Sequence, residues 1–257
     1  MKKIAVITGA SSGIGRRFAE TVDAYDSFDE IWVIARREGR LEELKTTAPF
    51  PVRVIPMDLT VPVSYDRYAA LLRDENVQVG LLVNASGFGK FNAVMNTPLE
   101  ANLNMVDLNC KAVMALCQLT VPHMPAGGQI INMASVAAYQ PIPYINVYAA
   151  TKALVLYYSR ALNRELRSRG IRVMAVCPFW TKTEFFDRAV NEKKPPVVKK
   201  YIAMYDPKDI VARAWRDAKK GKDMSKYGFI ARGQGVLATL LPHGMVMDAW
   251  QKQQELE

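Results

Sequence analysis

The feature that most limits the fold is a series of short apolar runs without polar alternation. Residues 4–7, 31–35, 52–57, 80–84, 129–133 and 171–177 read as strands of this kind. A strand wetted on one face alternates apolar and polar side chains, so a run that does not alternate is covered on both faces. Segments with helical character separate the runs: 16–24, 40–46, 64–76, 102–119 and 147–168. Regular strand–helix alternation predicts an α/β fold, a doubly wound parallel sheet with helices on both faces. No linker interrupts the rhythm, and 257 residues suit one domain with a large core. After Cys177 the pattern loosens. Residues 179–205, rich in aromatics and charge and carrying Pro195-Pro196, read as a loop insertion on the substrate side. Asp206-Pro207-Lys208-Asp209 then opens a helix running to Lys219, its acids placed where the helix dipole favours them. A last strand is expected near Phe229 and Ile230.

Composition excludes several classes. Half the residues are apolar and 23% are charged, which excludes wholesale disorder. Cys110, Cys117 and Cys177 form no CxxC pair, so a disulfide framework is excluded and a reducing, cytoplasmic setting is expected. His123 and His243 lie far apart, and no metal is expected. The net charge of +9 is uneven: residues 187–226 hold 12 Lys/Arg against 6 Asp/Glu. Such a stretch could attract nucleic acid, anionic lipid or a phosphorylated ligand, and a solvated surface is the plainer reading. No RNA-reading aromatic motif or zinc-finger spacing accompanies it, so no nucleic-acid partner is expected. Met1-Lys2-Lys3 looks like the start of an export signal, but the apolar run behind it has four residues and ends at Thr8-Gly9. No run approaches the roughly 18 apolar residues of a membrane span. Residues 235–247 are apolar around Pro242, His243 and Gly244, and suit either peripheral contact with a membrane or a buried or partner-facing tail.

Thr8-Gly9-Ala10-Ser11-Ser12-Gly13-Ile14-Gly15 lies between a predicted strand and a predicted helix. Gly9 permits the tight turn, Gly13 a close approach of backbone to a phosphate, and Gly15 close packing of helix on strand. The helix N-terminus then presents free N–H groups to a pyrophosphate. A glycine turn can also be a plain helix cap; the strands and helices around this one favour the nucleotide reading.

Thr8 to Gly15 resembles the cofactor turn of the short-chain dehydrogenase/reductase family, and further motifs extend the resemblance over nearly the whole chain. The family's N-N-A-G appears as Asn84-Ala85-Ser86-Gly87, its mid-helix Asn as Asn109, its Ser as Ser135, and its Y-x-x-x-K as Tyr148 to Lys152. Pro178-Phe179 stands where the family has P-G, and Thr183 matches its nicotinamide-amide Thr. The resemblance implies a Rossmann fold and a nicotinamide cofactor. It implies that Ser11, Ser12 and Ile14 join the glycines at that cofactor. Asp58 and Leu59 would lie at the adenine, residues 84–87 at the ribose, and Pro178, Thr181 and Thr183 near the nicotinamide. It also implies a homodimer or homotetramer paired through helices 102–119 and 147–168, with Ala149, Ala150, Ala153, Tyr157 and Tyr158 as contact residues. Those residues could equally face the sheet.

The second strand ends Val33-Ile34-Ala35-Arg36-Arg37, without an acid in the first two positions after Ala35. A carboxylate there would accept from a ribose 2′-hydroxyl, whereas a guanidinium binds a 2′-phosphate. The expected cofactor is therefore NADP, read by Arg36 with Arg37 and Ser11 near. A surface arginine pair is the bland alternative.

Tyr148 and Lys152 are spaced i, i+4 and share a helix face. An ammonium beside a phenol favours the phenolate, so the Tyr148 pKa is expected to fall. By resemblance, Ser135 binds the substrate oxygen, Tyr148 exchanges the proton, and Lys152 holds the ribose hydroxyls. Asn109 holds a water leading to Lys152, or is a helix-interior amide bonded to backbone. Aromatic and apolar residues are expected around the substrate: Phe88, Phe91, Val136, Tyr139, Tyr144, Phe179, Trp180, Phe185 and Phe186, with Lys90 and Lys182 as candidate cations. The expected activity is hydride transfer between NADP and a ketone or secondary alcohol on a hydrophobic body. Hydroxysteroids are a narrower version, and a cofactor-binding regulatory or scaffold protein without turnover is the alternative class.

Overall fold

A computed structural model describes residues 1–189 and 197–256. The seven strands are β1 (Lys3–Thr8), β2 (Glu30–Ala35), β3 (Val52–Pro56), β4 (Gln78–Asn84), β5 (Gln129–Met133), β6 (Arg172–Val176) and β7 (Met224–Ser225). They form one sheet in the order β3-β2-β1-β4-β5-β6-β7, with every pairing parallel. Helices of eight residues or more are α1 (Gly13–Glu20), α2 (Val63–Asp74), α3 (Leu99–Val106), α4 (Ala112–Thr120), α5 (Asn146–Glu165), α6 (Pro207–Lys219), α7 (Phe229–Leu240) and α8 (His243–Gln254).

Period-two alternation divides the core between the two faces of the sheet. On β1, Ile4 and Val6 point to the face covered by α2, α4 and α5, where they meet Tyr68, Leu116 and Val155. Ala5 and Ile7 point to the face covered by α1 and α6, where they meet Phe18 and Trp215. Each of the larger of these side chains, such as Ile4, Val6 or Phe18, fully buried, stabilises the fold by about 1.5–3 kcal/mol. Strand order reverses between β1 and β4, and a parallel sheet opens a crevice at the C-terminal ends of its strands at such a point.

Four departures from the expected elements matter for the site. Phe229 and Ile230 begin helix α7, and the last strand is instead the two-residue β7. The helix expected over 102–119 is α3 and α4 joined through a π-helical turn, Asp107–Lys111, which carries Asn109. The apolar stretch 235–247 runs through α7 and α8, and Leu237, Ala238 and Val246 line the central cavity. The base of the 179–205 insertion is pinned, because Lys182 N–H donates to the Tyr205 carbonyl (3.0 Å) and Tyr205 N–H to the Trp180 carbonyl (2.8 Å). Pro195 and Pro196 lie outside the described residues.

The basic stretch has a structural share. Arg213 and Lys222 pair with the buried Asp217 at 2.6 and 2.8 Å. Of the residues expected at a subunit contact, Tyr157 is exposed, whereas Ala149 is buried and Tyr158 packs on the core. Leu99, Leu103 and Val106 on α3 and Leu154 on α5 are exposed apolar side chains. All three cysteines are free and buried. No helix among the described residues is long and apolar enough to cross a membrane.

Candidate active site

A cavity of about 1050 Å³ opens along the C-terminal edge of the sheet. The residues expected at the cofactor all line it except Asn84 and Lys152. Its floor is the tight junction of β1 with β4. Gly9 has φ +67°, and a Cβ there would fall 2.7 Å from the Ala85 carbonyl carbon. A Cβ at Gly15 would fall 2.4 Å from the Gly9 carbonyl oxygen, so the start of α1 can lie on the turn only without a side chain. The Thr8 hydroxyl locks the junction by accepting from Ala85 N–H and Ser86 N–H, both at 3.1 Å. Across the cleft, a Cβ at Gly13 would meet the Thr183 methyl at 3.0 Å. Pro178 holds the rim, its carbonyl accepting from Val136 N–H at 3.1 Å, and the Thr181 hydroxyl donates to the Phe179 carbonyl at 2.8 Å.

Asn84 belongs elsewhere. Strand alternation turns its side chain under the sheet, where Nδ2 donates to Asn132 Oδ1 at 2.8 Å and faces Cys117 Sγ at 3.4 Å. Asn132 in turn donates to Ser159 Oγ at 3.0 Å, so Asn84 braces β4, β5 and α5 instead of lining the ribose side.

The arginines gather at the end of β2. Arg37 donates to Ser11 Oγ (3.1 Å) and Ser12 Oγ (2.8 Å), and pairs with Glu184 at 2.8 Å. Arg40 closes on the same carboxylate, and the two cations hold Glu184 below its ordinary pKa. Arg36 lies 3.7 Å from Asp58. Burial pushes the Asp58 carboxyl up, but hydrogen bonds from Thr60 and the charge of Arg36 more than offset it and leave the pKa lowered.

Ser135 caps the Val136–Tyr139 turn after β5, its hydroxyl accepting from Ala137 N–H at 3.2 Å. Its side chain also faces that of Tyr148, and both residues line the cavity. Burial pushes the Tyr148 phenol up to about 12, and the Ser135 side chain only partly opposes this. The expected fall in its pKa is not found. Lys152 Nζ lies 5.6 Å from the Tyr148 ring centroid and donates to the Met133 carbonyl at 2.7 Å. Burial lowers that ammonium to about 8, because desolvation disfavours its charge. Lys152 sits behind the wall, near Gly87, where an added Cβ would be 3.5 Å from its nitrogen. Asn109 is buried next to it. Its Nδ2 donates to the Phe88 carbonyl (2.9 Å) and Thr151 Oγ1 (3.1 Å), and its Oδ1 accepts from Phe88 N–H (3.1 Å). The amide thus clamps the backbone after β4.

The other half of the cavity is apolar. Phe91 touches Tyr148, Trp180 and Phe185 with ring centroids 5.9–6.0 Å apart. Phe88, Val136, Phe179 and Phe186 line it as expected, but Tyr139, Tyr144, Lys90 and Lys182 do not. Tyr139 points toward β6 and β7, its hydroxyl 3.6 Å from Cys177 Sγ and 3.5 Å from Met224 Sδ. Sequence reasoning missed Gln140, Ile202 and the inner faces of α7 and α8, including Phe229, Leu237 and Trp250. Apolar residues at 246, 249 and 250 follow helical spacing, the signal that could have found that wall.

A nucleotide-sized groove with a glycine floor therefore meets an apolar chamber at a serine and a tyrosine. The short chain dehydrogenase family model matches residues 3–194. The chain belongs to that family. It is 31% identical over 179 residues to an uncharacterized oxidoreductase of Staphylococcus epidermidis, an alignment covering 69% of this chain and 77% of that one. A short-chain dehydrogenase from Sphingobium yanoikuyae in complex with NADPH superposes with a TM-score of 0.76 at 27% identity, covering 96% of each chain. The bulky-bulky ketone specific alcohol dehydrogenase from Comamonas testosteroni superposes with a TM-score of 0.71 at 25% identity, covering 99% of this chain and 93% of that one. This short-chain dehydrogenase is an oxidoreductase of the hydride-transfer type, acting on carbonyl or alcohol groups with a nicotinamide dinucleotide.

Proposed function

We propose that the enzyme is an NADP-dependent reductase of hydrophobic ketones, with Tyr148 as proton donor. The observation that carries the reading is the contact between the Ser135 and Tyr148 side chains where the glycine-floored groove meets the aromatic chamber. The groove suits a dinucleotide: Gly9 and Gly15 leave no room for a side chain, and the start of α1 presents free N–H groups. Arg36 and Arg37 would meet a 2′-phosphate, Asp58 and Leu59 the adenine, Ala85 to Gly87 the ribose, and Thr181 and Thr183 the nicotinamide side. When bound, the cofactor supplies the hydride. Ser135 hydrogen-bonds the substrate oxygen and orients it. Tyr148, with a pKa near 12, is protonated at neutral pH and delivers its proton to that oxygen as negative charge develops. Lys152, anchored on Met133, would hold ribose hydroxyls and set the charge behind Tyr148.

The test is titration with NADPH and NADH, followed by consumption of each with a panel of apolar ketones that includes steroids. Tighter NADPH binding with ketone-dependent consumption is expected. Tight binding without turnover of any ketone would point to the regulatory class, and binding of neither nucleotide would remove the reading. The exposed apolar residues of α3 and α5 support pairing of two copies there; a monomer mass near 28.8 kDa by light scattering at assay concentration would exclude it.

A further inference from the structure

The substrate half of the cavity carries three uncharged polar side chains of one kind, Gln140, Gln234 and Gln253. Gln140 directly follows the turn that Ser135 caps, and it is 9% exposed. Among the described residues its amide has no hydrogen-bond partner. The side chain lines the cavity, so its amide is open to a ligand there and not committed to the protein. Gln234 lines the cavity from α7, a helix that packs against the Val136–Tyr139 turn preceding Gln140. Gln253 arrives from α8, one turn after Trp250, whose indole N–H donates to the Pro143 carbonyl at 3.1 Å. No lysine lines the cavity among the described residues, and its two arginines, Arg36 and Arg37, belong to the cofactor half. Asp187 stands on the substrate side.

We infer that Gln140, supported by Gln234, holds a second uncharged polar group of the substrate, separate from the carbonyl that reacts. An amide suits this task in either sense, since Nε2 donates to a carbonyl and Oε1 accepts from a hydroxyl. The substrate class is a ketone with an apolar body and a further ester, thioester, amide or hydroxyl group. A free carboxylate or phosphate would find no cation among the described residues of this half and would face Asp187. Gln140 is thus a specificity residue, and Ser135 and Tyr148 keep the chemistry. The inference rests on the reductase reading.

Two ketones of one shape test it, an oxo ester and the analogue with hydrocarbon in place of the ester. Binding is read by quenching of tryptophan fluorescence, since Trp180 and Trp250 line the cavity, and turnover by NADPH absorbance. The intact enzyme should bind the oxo ester about tenfold more tightly, the worth of one good hydrogen bond. Gln140→Leu should abolish that advantage and leave the plain ketone unchanged. Gln234→Leu, a half-buried position less exposed to folding failure, should reduce it about two- to threefold. Equal binding of both ketones by the intact enzyme would overturn the inference, as would an advantage that survives both substitutions. Discrimination in binding with no turnover of either ketone would uphold it and sink the reductase reading. Turnover of both ketones without discrimination would sink the inference alone.

Discussion

The cofactor half of the cleft is built from the ends of β1, β2, β3 and β4, and backbone sets its shape. The substrate half is built from side chains that reach it from Phe91, the loop after β6, α7 and α8. In the first half, atoms approach to distances that admit only glycine, and charged groups face each other at the rim. In the second, aromatic rings meet at 5–6 Å and the polar groups are amides. Backbone geometry tolerates little change without loss of the groove. A wall of separate side chains can be altered one residue at a time, which is how one scaffold takes different substrates.

The sharpest way to break the comparison is at the seam. Tyr148→Phe should cut turnover by about 10²–10⁴-fold and leave NADPH affinity nearly unchanged, measured by steady-state rates and fluorescence titration. An equal loss of cofactor binding would mean that the halves are not separable there. Within the cofactor half, Arg36→Ala and Arg37→Ala should each weaken NADPH about tenfold or more and NADH little, by removing charge-assisted bonds to a 2′-phosphate. Equal loss for both nucleotides would assign the arginines to structure.

Lys152 gives a test that needs no substrate. Its folded pKa, about 8, lies below its ordinary 10.5, so the unfolded chain binds the extra proton between those values. Wild-type stability relative to Lys152→Met should therefore rise as pH climbs from about 8 to 10.5, and level off below 8. Thermal midpoints of a few degrees' relative change would show it. A gap that does not move with pH would mean that the ammonium is not desolvated. The smallest effect is expected at the rim, where Glu184 occupies Arg37 and Arg40. Glu184→Gln should tighten NADPH a few-fold by freeing these cations, with NADH unchanged. Weaker NADPH binding would show that the carboxylate positions the arginines instead.

Much of the glycine-floored groove was legible in the sequence, because the turn from Thr8 to Gly15 between a strand and a helix is a local signal. The strands were legible because runs such as Ile4 to Ile7 lack polar alternation. Asn84 was misplaced because a strand residue faces the groove or the core according to its pleat, and Asn132 and Cys117 settle which. Tyr139 was misplaced for the same kind of reason, its partners Cys177 and Met224 being distant in the chain. The raised Tyr148 pKa was not legible at all, since the i, i+4 spacing reveals a neighbouring charge but not the burial that outweighs it. The two-residue β7 is too short to carry a pattern, and Phe229 and Ile230 were read as strand for want of the helical repeat beyond them.

The most direct test of the central claim follows the hydride itself. Enzyme, NADPH deuterated at the transferring C4 position and a bulky apolar ketone are incubated, and the alcohol is analysed by mass spectrometry. The account predicts an alcohol carrying deuterium on its carbinol carbon, formed at least about a hundredfold more slowly by Tyr148→Phe. NADPH that binds while every ketone of the panel remains unreduced and unlabelled would contradict it.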